Sequence, residues 1–247
     1  QASADGPFSW AALPNVEVAT WITGEHFDLF SGKHDGYQRM EPGAIHRRLV
    51  FSLHSELVFV LDALAGEGEH RVDQYWHLGP QLKRAGDGRL LFLADDGEGL
   101  AFVPVDDRAW AYEAYDDFWS PVYGRTEPAC VVRYGARLCI PDELAIVIAP
   151  VNRATHAGML TRELSLSGPC TGAYRYREGP SEHVLVRADG PGRWTAASWA
   201  SDAEFLCATS VDGTLTRLIV CNGSFAQIGA RELFRADHSV ACYESRV

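Results

Sequence analysis

Residues 47–64 read RRLVFSLHSELVFVLDAL. Two short runs rich in Val, Leu and Phe flank a polar separator, His54-Ser55-Glu56. Each run has strand length, and helical spacing is nearly absent, so the segment reads as two strands joined by a hairpin loop. Upstream, VEVATWIT (16–23) alternates, with Val16, Val18, Thr20 and Ile22 on one face. Downstream, GEGEH (66–70) turns the chain into RVDQYWHLGP (71–80). The same style recurs in RLLFLA (89–94), GLAFVPV (99–105), CVVRYGARLCI (130–140), LAIVIAP (144–150), HVLVRA (183–188), EFLCATSV (204–211), TLTRLIVC (214–221), SFAQI (224–228) and SVACYES (239–245). Asp212-Gly213 and Asn222-Gly223, each between apolar stretches, carry the strongest hairpin signal. The reading is an all-β protein with little helix: a large two-sheet antiparallel β-sandwich of about a dozen strands. It is one domain over 1–247, with residues from about 195 to 247 forming a lesser sheet.

The chain has 247 residues, 47% hydrophobic and 22% charged, a globular composition that excludes disorder, collagen and coiled coil. No apolar run reaches the ~18 residues of a membrane helix, so no membrane span is expected. The net charge of −11 argues against a nucleic-acid partner, which would need a basic face. It also requires a local basic cluster if the ligand is acidic. The opening QASADGPFSW lacks the pattern of a secretory signal and has no initiator Met, so the chain reads as a fragment or processed product.

The six cysteines (130, 139, 170, 207, 221 and 242) form no CxxC, and several lie in apolar runs, as buried thiols do. If Tyr134-Gly135 were a two-residue turn, Cys130 and Cys139 would face each other across a hairpin, close enough for a strained disulfide. There is no HExxH, GxSxG, GxGxxG or Walker loop.

The densest polar and aromatic stretch is KHDGYQRMEPGAIHRRLVF (33–51). A loop carrying His34, Asp35, Gly36 and Tyr37 leads into a strand near His46. Alternation puts His46 and Arg48 on one face and Arg47 on the other. A His and an Arg projecting together can hold a carboxylate; on spacing alone they equally suit a solvated strand. Trp76 shares a face with Val72 and Gln74 and reads as core, whereas His77 lies with Asp73 and Tyr75 and suits a hydrogen-bonded structural histidine. WAYEAYDDFWSPVYG (110–124) sets aromatic rings beside carboxylates, an arrangement for stacking sugars or a core strand with a covering loop.

HDGYQRMEPGAIHRRLVF (34–51) followed by VFVLDALAGEGEHRVDQYWHLGP (58–80) resembles the C-terminal β-sandwich of heparinase II/III-like proteins. The parts in order are His34 to Tyr37, His46-x-Arg48, Asp62, Gly66 to His70, and His77 with Pro80. A second block, FWSPVYGRTEPACVVRYGARLCIP (118–141), is similar through Ser120, Tyr123 and Gly124, with Ile140-Pro141 where the family has Leu-Pro. The resemblance covers about residues 1–150.

The resemblance implies part of a polysaccharide lyase that cleaves a uronate-containing glycan or exopolysaccharide by β-elimination. An α/α-toroid domain would precede this sandwich and supply much of the chemistry. Periplasmic or secreted localisation goes with it, and an acidic polysaccharide and the toroid are the implied partners. Gln1 resembles the end of a motif whose histidine lies upstream, so no catalytic residue is assigned here. His34, Tyr37, His46 and Arg48 are the substrate-site candidates. Some members hold a structural zinc, for which His46, His34 and Asp5 are the candidate ligands. The rival reading is a non-catalytic carbohydrate-binding or scaffold module.

Overall fold

The computed structural model describes residues 13–85, 91–152, 158–163 and 165–246. Among these residues there is no helix, and they form twenty strands. The expectation of an antiparallel all-β fold holds. The strand total exceeds a dozen partly because pieces of two to four residues, too short to show a hydrophobic pattern, add to it.

Packing divides the chain into two compact units. One takes residues 22–27, 102–107 and those from 154 onward; the other takes the remainder up to 153. The strands up to residue 152 are β1 (Val16–Thr23), β2 (Phe27–Tyr37), β3 (Ala44–Leu53), β4 (Leu57–Gly66), β5 (Glu69–His77), β6 (Lys83–Arg84), β7 (Leu91–Leu93), β8 (Glu98–Pro104), β9 (Ala111–Val122), β10 (Arg125–Cys139) and β11 (Asp142–Asn152). They make an eight-stranded sheet, β1-β2-β3-β4-β11-β8-β7-β6, and a three-stranded sheet, β5-β10-β9.

The β3–β4 hairpin has the anticipated loop. Leu53 pairs with Leu57, and the Glu56 N–H donates to the Leu53 carbonyl at 3.0 Å. Ser55 takes a φ of 63°, which lets three residues reverse the chain. β4 lies between β3 and β11 and is buried on both faces from Phe59 to Asp62. The face bearing Leu64 packs with Ala44 and Leu144 against Ala136 and Leu138 of β10, so the two sheets form a sandwich. Tyr134, also on β10, is fully buried and packs edge-on against Trp110. Trp110 and Tyr112 therefore belong to the core, while Phe118 and Tyr123 of the same aromatic stretch are exposed. β1 is the sheet's edge strand, and the alternating face predicted for it buries Thr20 but leaves Val16 and Val18 exposed.

The other strands are β12 (Met159–Arg162), β13 (Leu166–Ser167), β14 (Cys170–Glu178), β15 (Ser181–Ala188), β16 (Trp194–Ala196), β17 (Trp199–Ser201), β18 (Phe205–Val211), β19 (Thr214–Ile228) and β20 (Arg231–Arg246). They form a nine-stranded sheet, β12-β14-β15-β18-β19-β17-β16-β13, with β20 also paired to β19. The sheet curls until β13 and β16 approach β14. Inside the curl, Trp194 and Trp199 pack against Val186, Leu206, Leu218 and Val220. The Trp194 indole N–H donates to the Ala203 carbonyl at 2.7 Å, which lets a polar atom be buried there at little cost. The sheet predicted from about 195 thus begins at Met159, because the strands before 195 pair with those after it.

The two Gly-containing turn signals part ways. Asp212-Gly213 is a two-residue hairpin turn closed by the Val211–Thr214 pair, and both residues have positive φ, 49° and 75°. Asn222-Gly223 is no turn but lies inside β19. There the β19–β20 register shifts, and Asp202 accepts bonds from the Ser224 and Phe225 N–H groups and the Ser224 hydroxyl. A Cβ at Gly223 would strike the Ala203 backbone, so the glycine serves close approach at a bulge.

The conditional Cys130–Cys139 bridge is overturned. Tyr134-Gly135 is not a turn; β10 runs straight through it, with Cys130 opposite Asp116 and Cys139 opposite Glu69. Nine residues of one extended strand separate the two sulfurs by about 30 Å. All six cysteines are among the described residues and none is in a disulfide. Cys221 and Cys242 instead stand opposite each other on β19 and β20.

Treatment of the folded chain with oxidised glutathione, followed by non-reducing peptide mapping, is expected to yield Cys221–Cys242 as any intramolecular crosslink; a Cys130–Cys139 crosslink would contradict the continuous β10. Gly213→Val is expected to lower the unfolding free energy by about 1–2 kcal/mol in urea melts, because a β-branched residue is strained at positive φ.

Candidate functional site

The apolar run of β4 contains one ionisable residue, Asp62, and it is 2% exposed. A buried carboxylate must be met by donors. Asp62 is opposite Arg48 in the β3–β4 register, and His46 lies two residues from Arg48 on the same face. Arg48 Nε donates to Asp62 Oδ1 at 2.6 Å and Nη2 to Oδ2 at 2.7 Å, a two-pronged clamp. His46 Nε2 meets Oδ1 at 2.7 Å. From the facing sheet, Gln74 of β5 donates its Nε2 to Oδ2 at 2.6 Å.

The network extends outward from His46, whose Nδ1 lies 3.0 Å from His34 Nε2. His34 Nδ1 accepts the Gly36 N–H at 3.2 Å. The end groups set every tautomer: an amide can only donate and a carboxylate can only accept. The proton order is therefore Gly36 N–H to His34, His34 Nε2–H to His46, and His46 Nε2–H to Asp62. Residues 34–37, read from sequence as a loop, are the end of β2. Strand geometry turns Asp35 to the opposite side, where it takes two bonds from Asn15. The Tyr37 ring lies 5.1 Å from His34 and 6.2 Å from His46.

These groups border a cleft of about 240 Å³ walled by Tyr37, His46, Arg48, Asp62, His70 and Gln74, among others. Of the four sequence candidates, Tyr37, His46 and Arg48 reach the cleft, and His34 buttresses His46. Arg48 also lies over Trp76, its guanidinium carbon 5.8 Å from the ring centre. The Arg48 side chain as a whole is 42% exposed. Arg71 and Asp73, a neighbouring ion pair, also line the cleft, so its arginines are matched by carboxylates. His77 is exposed on the opposite face of β5 from Gln74. Asp5 lies outside the described residues.

Burial alone would raise the Asp62 pKa, but the hydrogen bonds and charge of Arg48 and His46 outweigh it and hold the carboxyl far below the usual range. Burial, then the neighbouring His46 and Arg48 charges, lowers the His34 pKa. The Arg48 guanidinium is pushed up by its bonds to Asp62.

Sequence reasoning omitted Asp62 and Gln74 from the site. Asp62 carried its own signal, a lone charge in an apolar strand. Gln74 had only its shared face with Val72 and Trp76, and its partner sits on another sheet.

Both Asp62 and His34 have folded-state pKa values below their unfolded ones. Their stabilisation is complete above the unfolded values and is lost as pH falls, first below about 6.5 for His34 and then below about 3.9 for Asp62. Asp62→Asn is expected to cost about 2–3 kcal/mol near neutral pH and to flatten the acid limb of the stability profile. Urea melts of both proteins between pH 3 and 8 measure the two effects.

The heparinase II/III-like, C-terminal family model matches residues 1–153. Among solved structures, the chain is similar to heparan sulfate lyase HepC from Pedobacter heparinus, at 12% identity and a TM-score of 0.52, covering 90% of this chain and 28% of that one. A heparinase III structure aligns at 13% identity and a TM-score of 0.49, over 79% of this chain and 27% of that one. The chain thus spans little more than a quarter of the lyases it matches, and at such identities the likeness is one of fold. No curated protein sequence matches it. With the family model covering well over half of its length, the chain belongs to the heparinase II/III-like C-terminal family.

Proposed function

We propose that this chain is the β-sandwich portion of a polysaccharide lyase and forms one wall of the site that binds an acidic, uronate-containing glycan. The observation that carries the reading is Arg48: its guanidinium is clamped by a buried aspartate and seated over Trp76, and its side chain is partly exposed at a cleft beside Tyr37. Clamping removes most of the side-chain entropy a long cation loses on gripping a ligand. The N–H groups not spent on Asp62 can then meet a carboxylate or hydroxyl in a set direction.

In β-elimination the uronate carboxylate is neutralised, a base takes the proton from C5, and the electron pair forms the C4–C5 double bond. The C4–O4 bond breaks, and an acid protonates O4. Arg48 fits the neutralising role. Tyr37 stands nearby with a phenol that can donate or accept a hydrogen bond. The His34–His46–Asp62 chain fits positioning, since both nitrogens of each imidazole are already engaged. A toroid domain in the parent protein would bring the remaining groups, and export to the periplasm or beyond would match an extracellular glycan.

His34 and His46 could hold a zinc only by giving up hydrogen bonds that engage both nitrogens of each ring. With Asp62 they form a linear relay; the carboxylate candidate for the metal, Asp5, lies outside the described residues.

In the parent lyase, Arg48→Ala is expected to lower kcat/KM on an acidic glycan by about tenfold to a hundredfold, and His46→Ala by a smaller factor. The chain alone is expected to bind such a glycan without cleaving it. The check is the ultraviolet absorbance of unsaturated products across a panel of uronate polymers. Cleavage by the chain alone would place the whole catalytic set within it. Binding without cleavage by the parent would favour the carbohydrate-binding module.

A further inference from the structure

β9 begins at Ala111, opposite Gly135, while β10 runs on to Cys139. At that end lies a second hollow, of about 480 Å³, in the same unit as the cleft. It is lined by Arg71, Arg108 and Arg137 and otherwise by alanines and Gly135, so three cations and no acid border it in a chain of net charge −11.

Arg71 and Arg137 are partners in the β5–β10 register, which puts the two cations on one face with their Cβ atoms about 5 Å apart. Like charges so placed destabilise a sheet. Nearby acids answer them only in part. Arg71 gives Asp73 two N–H groups, at 3.0 and 3.5 Å, and Arg137 gives Glu69 one, at 2.7 Å. Each guanidinium has five N–H donors, and the others are taken by no described residue. The Arg71 and Arg137 side chains are 57% and 74% exposed, and ion pairs in such positions contribute little and re-form easily. Both cations are therefore able to turn toward an incoming anion without abandoning a buried partner. Arg108 is 17% exposed and held by Asp142 at 2.9 and 3.4 Å, so it stays in place.

Arg71 also lines the cleft. Along β5 it stands three residues from Gln74, whose amide shares Asp62 with Arg48, a run of about 10 Å that a single sugar does not cover. We propose that the Arg71–Arg137 hollow is an anion subsite that takes a second carboxylate of the glycan, beyond the sugar held at Arg48, and so selects an extended polyuronate over a short one. This inference rests on the acidic-glycan reading above and adds to it the length of the bound chain.

The probes are a disaccharide and a hexasaccharide of glucuronate. Titration calorimetry on the chain is expected to show the hexasaccharide binding at least about tenfold more tightly, because its second contact forms within an already bound molecule. Arg137→Ala is expected to narrow that ratio to about threefold or less and to leave disaccharide binding unchanged, with thermal melts confirming that it folds; Arg137→Lys, which keeps the charge, should retain most of the ratio. Raising the salt should shrink the wild-type ratio and leave that of Arg137→Ala where it is, since exposed charges are screened. The Arg137 Nε–Hε resonance of the wild-type chain supplies an arm that needs no variant; it should move with the hexasaccharide and stay put with the disaccharide. Equal binding of the two lengths, an undiminished ratio in Arg137→Ala, a ratio indifferent to salt, or an unmoved resonance would overturn the subsite while leaving acidic-glycan binding intact. If the wild-type chain binds neither oligomer, nor alginate or polygalacturonate, the acidic-glycan reading falls and this inference with it.

Discussion

Asp62 brings an ionised carboxylate into the interior of a sandwich, and much of the local architecture answers that cost. Its two oxygens take both prongs of Arg48, one nitrogen of His46 and the amide of Gln74. These three side chains come from two different sheets, so the carboxylate ties β3, β4 and β5 together where the apolar interlayer of Leu64, Leu138 and Leu144 gives way to the cleft. Removing any one donor would leave a buried charge short of partners, which is worse than never having had the group. That asymmetry makes the cluster rigid.

Rigidity of this kind has a chemical use. Each group that meets Asp62 spends part of its bonding capacity inward and keeps a defined remainder. Arg48 keeps N–H donors, and Gln74 keeps a carbonyl oxygen. His46 keeps nothing, because His34 takes its other nitrogen, so its part is to hold its neighbours in place. The bonding capacity left over at the cluster is therefore a by-product of how one carboxylate is satisfied. The acidic net charge of the chain is no obstacle to an acidic ligand here: contact would be through short directed hydrogen bonds from a neutralised ion pair, with little contribution from long-range attraction.

The family match and the similarity to a heparan sulfate lyase concern a fold that spans about 28% of that enzyme. A sandwich of this type supports many functions, so the fold alone does not make it the wall of a lyase site. The second unit, a curled nine-stranded sheet centred on Trp194 and Trp199, has a core of its own.

The strand character of the chain, the Ser55 loop, the Asp212-Gly213 turn and the common face of His46 and Arg48 were all legible in the sequence. Each depends only on side-chain alternation or on backbone preferences of a few adjacent residues, and such local constraints survive without tertiary context. Asn222-Gly223 shows where that reasoning stops. The same residue pair serves a turn or a bulge, and the packing of Ala203 and Asp202 against β19 selected the bulge. Likewise Tyr134-Gly135 stayed extended because β5 and β9 pair along β10 on both sides, which separates Cys130 from Cys139 and leaves Cys221 facing Cys242. The division into three sheets and the meeting of Gln74 with Asp62 join residues on different elements. Strand order and sheet stacking decide such meetings, and no spacing along the chain encodes them.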